Sequence, residues 1–231
     1  MKEVLPKQPA TISPYAHACL NALVKENLAN LISIGGGFGL FHYLDYRTTH
    51  DVDAWWNETV TVQDKNLISA TLEKTLSKFG KVKVRKWGDV VSIELVEENK
   101  TIFSFQLASR SVRLENSVSA NWINVPLDSL PDLVASKMTA LIERGSPRDF
   151  LDIFSICQSE LVTISECWSL WRKRQALVNS DENTARAKLA IETHLVRIAT
   201  HRPLHKITNT LEREQAETLR NWFLNAFLKD T

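Results

Sequence analysis

Very little in this chain advertises a partner at the gross scale. Lysine and arginine total 28 against 27 aspartates and glutamates, a formal net charge of +1. No overall field draws the protein to nucleic acid or an anionic surface, so any such contact has to come from a local patch. Cysteine is scarce: Cys19, Cys157 and Cys167 show no metal-ligand spacing and leave an odd one over. That argues against a disulfide framework and fits a reducing cytoplasm. The opening MKEVLPKQPA lacks the apolar core of a signal peptide, and no apolar run approaches membrane-spanning length. A cytoplasmic location is therefore expected. Internal repeats and low-complexity tracts are missing too. What remains, 44 % apolar and 24 % charged over 231 residues, is an ordinary globular composition, enough for one substantial core or two small ones.

The order of elements is mixed at first and then helical. Residues 1–12 are polar and contain proline. Ser13-Pro14 is a helix start, a capping side chain followed by proline in the first turn. Leu20, Leu23, Val24, Leu28 and Leu31 then recur at helical spacing. Leu31 to Ile34 reads as a buried strand, Phe38 to Tyr46 as a helical turn or two, and Asp51 to Asp53 as a second strand. Thr61 with Asp64 predicts a helix cap, and Leu67 to Phe79 supply its apolar stripe up to Gly80. Three strand-like runs follow at 81–86, 90–96 and 101–108, with turns at Gly88-Asp89 and at Glu97 to Lys100. From residue 126 the pattern is helical. Ser129 with Asp132, Ser146-Pro147, and Thr163 with Glu166 open three helices, and 182–201 and 209–228 read as two more. The expectation is an α+β protein: a mixed sheet with flanking helices over residues 1–125, then a helical domain over 126–231.

Candidate chemistry gathers between Ile34 and Asp53. Gly35-Gly36-Gly37 lets the backbone turn tightly and approach a ligand with no side chain in the way. Asp51 and Asp53 share one face of a strand while Val52 faces the other way. Two neighbouring carboxylates repel unless a cation sits between them, and hard oxygen ligands suit Mg²⁺. Glycine N–H groups at a helix start, facing a carboxylate pair, fit a metal-bound triphosphate. The same pieces also fit a plain turn beside a solvated edge. Trp55 and Trp56 read either as base-stacking aromatics or as core.

Gly36-Gly37, thirteen residues, then Asp51-Val52-Asp53 resembles the signature of the nucleotidyltransferase fold of polymerase-beta-like enzymes. With Arg47 and Thr49 ahead of the acidic pair, the fuller pattern resembles the AbiEii/AbiGii nucleotidyltransferase toxins. A second stretch, LVASKMTALIERGSPRDFLD at 133–152, adds to it. Lys137 and Arg144 are seven apart on one helix face, and Arg148, Asp149 and Asp152 stand in the first turns of the next helix. Arg148 and Asp149 are placed to pair with each other. The spacing is similar to the family's later motifs, a lysine on one helix and Arg-Asp at the start of the next. Read without the resemblance, it is a salt-bridge network between helices.

The resemblance implies a nucleotidyltransferase holding one or two Mg²⁺ (or Mn²⁺) on Asp51 and Asp53. Phosphates would lie against Gly36, Gly37 and Thr49, with Arg47 supporting that loop and Lys137 and Arg148 at the phosphate tail. It implies an NTP substrate, an RNA acceptor (tRNA in particular), and a separate antitoxin protein. One departure stands out. Such enzymes usually carry a third carboxylate on a strand beside the acidic pair, and here Gln106 takes that place. A neutral amide neither accepts a proton at pH 7 nor balances a second metal. Glu94 or Asp149 would have to serve, or the site is weak or inactive. Two rival functions stay open: transfer to a small molecule of the antibiotic type, and a nucleotide- or protein-binding module without catalysis. Basic residues cluster at Arg172 to Arg174, Arg186, Lys188, Arg197, Arg202 and Lys206. They read as an RNA-backbone stripe or, given the intervening Glu182, Glu192 and the acids of 211–217, as an ordinary mixed surface. The neighbouring His194, His201 and His205 read as surface or capping residues.

Overall fold

The computed structural model describes residues 4–229. Among them the chain forms eight α-helices and seven strands, all seven in one mixed sheet. Two compact units divide the chain, Val4–Leu133 and the stretch from Val134 onward.

In the first unit the strands are β1 (Ile32–Gly35), β2 (Asp51–Trp56), β3 (Lys81–Trp87), β4 (Val90–Glu97), β5 (Lys100–Ser109), β6 (Val118–Ser119) and β7 (Pro126–Leu127). They lie in the order β3-β4-β5-β2-β1-β7-β6. β3, β4 and β5 form an antiparallel meander; β2 runs parallel to β5 and antiparallel to β1, which runs parallel to β7. Because strand side chains alternate, the register sorts the sheet into two faces. Val52 and Ala54 of β2, Phe103, Phe105 and Leu107 of β5, and Ile93 and Leu95 of β4 are buried in the core. They share it with Ala16, Cys19, Leu20 and Leu23 of α1 (Pro14–Lys25) and Ile68, Leu72 and Leu76 of α3 (Val62–Leu76). The expected caps form. Ser13 Oγ accepts the Tyr15 N–H at 3.3 Å, and Thr61 with Asp64 makes a reciprocal capping box.

A short helix, α2 (Gly36–Leu40), begins on the glycines themselves rather than at Phe38, and it stops at Leu40 rather than running to Tyr46. Gly36, at φ +59°, turns the end of β1 straight into it. The chain from 41 to 50 is turns and bends.

α4 (Leu130–Glu143) starts in the first unit and continues into the second. There it is followed by α5 (Pro147–Gln158), α6 (Ile164–Leu177), α7 (Thr184–His201) and α8 (Thr210–Trp222). A single helix was expected over 209–228. Instead a wider π-type turn, Phe223–Phe227, follows α8 and holds both phenylalanines fully buried. Their rings meet Phe150 at 4.8 Å and Trp168 at 5.3 Å. These aromatics form the core of the second unit. No helix among the described residues is long and apolar enough to cross a membrane.

Phe105 is fully buried on the apolar side of the central strand β5. Phe105→Ala should lower the unfolding free energy by about 3–5 kcal/mol through lost transfer energy and the cavity left behind, as read from denaturant midpoints. A loss under 1 kcal/mol would mean that the core is not formed as described.

Candidate nucleotide site

The other face of the sheet carries the polar side chains, and register fixes which neighbours they have. Asp51 lies across from Ser104 and Asp53 from Gln106 on β5; Ser104 in turn lies across from Glu94 and Gln106 from Ser92 on β4. Asp51, Asp53, Ser104, Gln106, Ser92 and Glu94 therefore share one face. The side chains agree: Ser104 Oγ donates to Asp51 Oδ1 at 2.8 Å, and Gln106 Nε2 donates to Ser104 Oγ at 3.4 Å. Gln106 thus stands beside Asp53 and feeds a hydrogen-bond chain that ends on Asp51. Glu94 lies two strands from Asp51, roughly 10 Å at ordinary strand spacing. Its carboxylate is engaged by Arg85 Nε at 3.0 Å, Ser92 Oγ at 3.3 Å and Thr101 Oγ1 at 3.2 Å.

The glycine turn reaches this pair from the β1 side. Gly35 lies across from Asp53, and a Cβ on Gly36 would run into the Asp53 carboxyl group and stand 2.7 Å from its Cβ. Only a residue without a side chain permits that approach. Arg47 completes the turn from outside. Its Nη2 would stand 2.8 Å from a Cβ on Gly37, its Nη1 donates to the Thr48 carbonyl at 3.2 Å, and its guanidinium lies over Phe41 and Tyr46. Thr49 Oγ1 accepts the Asp51 N–H at 3.3 Å and so braces the start of β2. Trp56 is buried in the core, whereas Trp55 shares the polar face and lies under Arg110 at 5.6 Å.

A cluster the sequence did not reveal flanks the glycines. Arg110 pairs with Asp128 and, at 3.4 Å, with Asp132, and donates to Ser33 Oγ at 3.2 Å. Asp132 also accepts the N–H groups of Leu114 and Glu115 at 2.8 and 3.0 Å. Asp132 was legible only as a helix-cap residue, and no local motif marks Asp128. These pairs tie the loop after β5 to β1 and to the start of α4.

The second constellation falls in the other unit and is assembled differently from the expectation. Asp149 does not pair with Arg148. Arg144, at the end of α4, reaches over the Gly145 turn and grips both oxygens of Asp149 at 2.9 Å, while Ser146 N and Oγ bind Oδ2 at 3.1 and 2.6 Å. Asp149 is the capping-box residue of α5, fully buried. Burial alone would raise its pKa, but the hydrogen bonds from Arg144 and Ser146 outweigh it and hold the carboxyl below its ordinary value. Lys137 Nζ binds Asp152 Oδ2 at 2.6 Å. The turn is clamped from α7, where His194 Nε2 meets the Ile142 carbonyl at 3.1 Å and Arg197 Nη2 donates to the Arg144 carbonyl at 2.7 Å. His194 is thus a capping residue, as expected.

Metal fit rests on the carboxylates. No cluster of three or more His, Cys, Asp or Glu side chains suited to a metal occurs among the described residues. Asp51 and Asp53, side by side on one face, form a two-carboxylate donor set. Such a set suits Mg²⁺, which keeps waters and takes substrate phosphates as its remaining ligands.

Comparison with known proteins gives a family match. The model for the nucleotidyl transferase AbiEii toxin of type IV toxin–antitoxin systems matches residues 18–222. Comparison with curated proteins finds no match. Among solved structures, an antigenic nucleotidyltransferase-like protein from Paracoccidioides brasiliensis aligns at 16 % identity and a TM-score of 0.41, covering 82 % of this chain and 88 % of its own.

Gly36 and Gly88 have nearly the same backbone, φ +59° and +56°, but nothing lies within 4 Å of a Cβ at Gly88. Gly88→Ala should therefore cost only the left-handed strain, about 1–2 kcal/mol, and Gly36→Ala distinctly more in thermal unfolding. Equal costs would mean that Asp53 does not lie against the turn. Asp149, with its folded pKa lowered, contributes stability above the ordinary carboxylate range that is lost as pH falls through the folded value. Asp149→Asn should be less stable at pH 7, and the gap should close in acid. A pH-independent gap would contradict the Arg144 clamp.

Proposed function

Because the chain belongs to the AbiEii nucleotidyl transferase toxin family of type IV toxin–antitoxin systems, we propose that it moves a nucleoside monophosphate from an NTP to an RNA acceptor, tRNA in particular, in the cytoplasm. Family membership also implies a separate antitoxin. The observation that carries the reading is the Asp51–Asp53 pair on one strand face with Gly36 against the Asp53 carboxyl group.

In this reading Asp51 and Asp53 hold one or two Mg²⁺ ions, with Mn²⁺ able to substitute. When bound, the metal neutralises the triphosphate and lowers the pKa of the attacking hydroxyl. The acceptor oxygen forms a bond to the α-phosphorus, the bond from that phosphorus to the bridging oxygen breaks, and pyrophosphate departs. The protein's own contribution is positional. Gly36 and Gly37 let phosphate oxygens approach the backbone, and Arg47 and Thr49 hold the turn and the start of β2. Ser104, oriented by Gln106, fixes the Asp51 carboxylate.

The hydroxyl proton needs an acceptor, and Glu94 is the nearest further acid on the same face by register. Asp149 suits that task less, since Arg144 and Ser146 hold its pKa below the ordinary carboxylate value. Gln106 favours one alternative, a nucleotide-binding module without transfer.

The test incubates the protein with Mg²⁺, each α-labelled NTP in turn and total cellular RNA. RNA should acquire label, and Asp51→Asn or Asp53→Asn should reduce it at least about a hundredfold while the fold, followed by circular dichroism, survives. Label on a small molecule alone would assign the chain to the other acceptor class. Nucleotide binding without transfer would make it a binding module, and full activity in either Asn variant would remove the metal assignment.

A further inference from the structure

The helical unit is a poorer RNA surface than its basic content suggests. Arg186 pairs with Asp181 at 3.2 Å and Arg202 with Glu212 at 2.8 Å, Arg197 caps a carbonyl of α4, and Lys188 lies over Trp168 at 5.7 Å. The sheet offers something different at its edge. β3 is the outermost strand on its side, and its sequence KVKVRKW alternates from Lys81 to Arg85, after which Lys86 falls on the valine side. Val82 and Val84 pack against the core. Lys81, Lys83, Arg85 and Trp87 are exposed and project on the other side, since Lys83 lies across from Glu94 and Arg85 from Ser92. This is the face that carries Asp51 and Asp53. One cross-strand row runs Lys83, Glu94, Ser104, Asp51; the next runs Arg85, Ser92, Gln106, Asp53. The edge therefore stands three strand spacings from the carboxylates, about 14 Å.

We infer that β3 is the acceptor-binding edge of this unit, a track on which single-stranded RNA lays its phosphates along Lys81 and Lys83 and stacks a base on Trp87. Cations spaced along one side with an aromatic at the end are what an unpaired strand requires: charge for the backbone and a flat apolar surface for a base. Trp87 is 51 % exposed, a large apolar surface with no role in the core. Among the described residues, neither Lys81 nor Lys83 takes part in an ion pair. Arg85 is held by Glu94, which keeps its guanidinium in line with the two lysines. The charge order also suits the proposed reaction, because an anionic strand meets cations at the edge before it reaches the carboxylates. The inference rests on the RNA reading above.

Binding is measured apart from transfer. Fluorescein-labelled single-stranded RNA is titrated with the full-length protein at several salt concentrations and followed by anisotropy. The variants are Lys81→Gln with Lys83→Gln, which removes charge without setting a new acid against Glu94, and Trp87→Ala. All three positions are exposed, so melting temperatures should hold. The lysine pair should weaken binding about tenfold or more at 0.1 M salt and flatten the log–log salt slope by about 1.4, two contacts at 0.7 each. Trp87→Ala should weaken it about fivefold or more with the slope unchanged. NTP binding should be unaffected in both. RNA affinity and slope equal to wild type in both variants, or no RNA binding by the wild-type protein, would overturn the inference. So would displacement of the RNA by polyglutamate at equal charge, which would assign the edge to an acidic polypeptide. If the β3 variants lose RNA binding yet wild-type protein labels no RNA, the transfer reading fails while the binding edge stands.

Discussion

The parallel pairing of β2 with β5 is the constraint on which the candidate site depends. It sets Asp51 beside Ser104 and Asp53 beside Gln106, and it forces Val52 and Ala54 into the core shared with α1 and α3. A slip of one residue would turn both carboxylates into that core and both apolar side chains outward. Phe103, Phe105 and Leu107 alternate with Ser104 and Gln106 on the partner strand, so the same slip would be penalised twice. Hydrophobic burial on one side therefore holds the charged groups in place on the other. The tight approach of Gly36 to Asp53 follows from β1 being the other neighbour of β2.

Polar order is built outward from that pairing. Like charges two residues apart on a strand need stabilisation even before any cation arrives, and Ser104 supplies part of it through its hydrogen bond to Asp51. Gln106 acquires a structural reason here. As an amide it donates to Ser104 and stands beside Asp53 without adding a third negative charge. An acid in that place would add repulsion that only a metal or a proton relieves. The substitution thus exchanges charge-balancing capacity for a quieter resting site.

Much of this was legible in the chain. Alternation in Asp51 to Trp56, the glycine triplet, and the Ser-Pro, Thr-Asp and Thr-Glu helix starts are local signals, and each reappears in the structure. Strand order was not legible, because which strand lies beside β2 is decided by contacts between residues some fifty positions apart. The Arg110–Asp128–Asp132 cluster was hidden because its partners, 18 and 22 positions apart, share no local motif. Asp149 shows the opposite case. Its Ser-x-x-Asp cap was readable, but the partner of its carboxylate was not: the neighbouring Arg148 is local, whereas Arg144 wins by reaching back across a turn that Gly145, at φ +52°, allows.

Net charge near zero can also mislead when read as indifference to nucleic acid. Charge matters through its distribution, since screening confines each side chain to about 10 Å. In the helical unit, Arg186 and Arg202 each pair with an acid, so the fields of those pairs largely cancel at that range. On β3 the two-residue period puts Lys81, Lys83 and Arg85 on one side and valines between them, with Glu94 on that side of the adjacent strand. A strand concentrates like charge on one face where a helix of similar composition disperses it around its axis. An edge strand needs exposed charge in any case, to discourage pairing with other chains. What a sheet requires for solubility here coincides with what an anionic polymer requires for docking, on the same face as the two carboxylates.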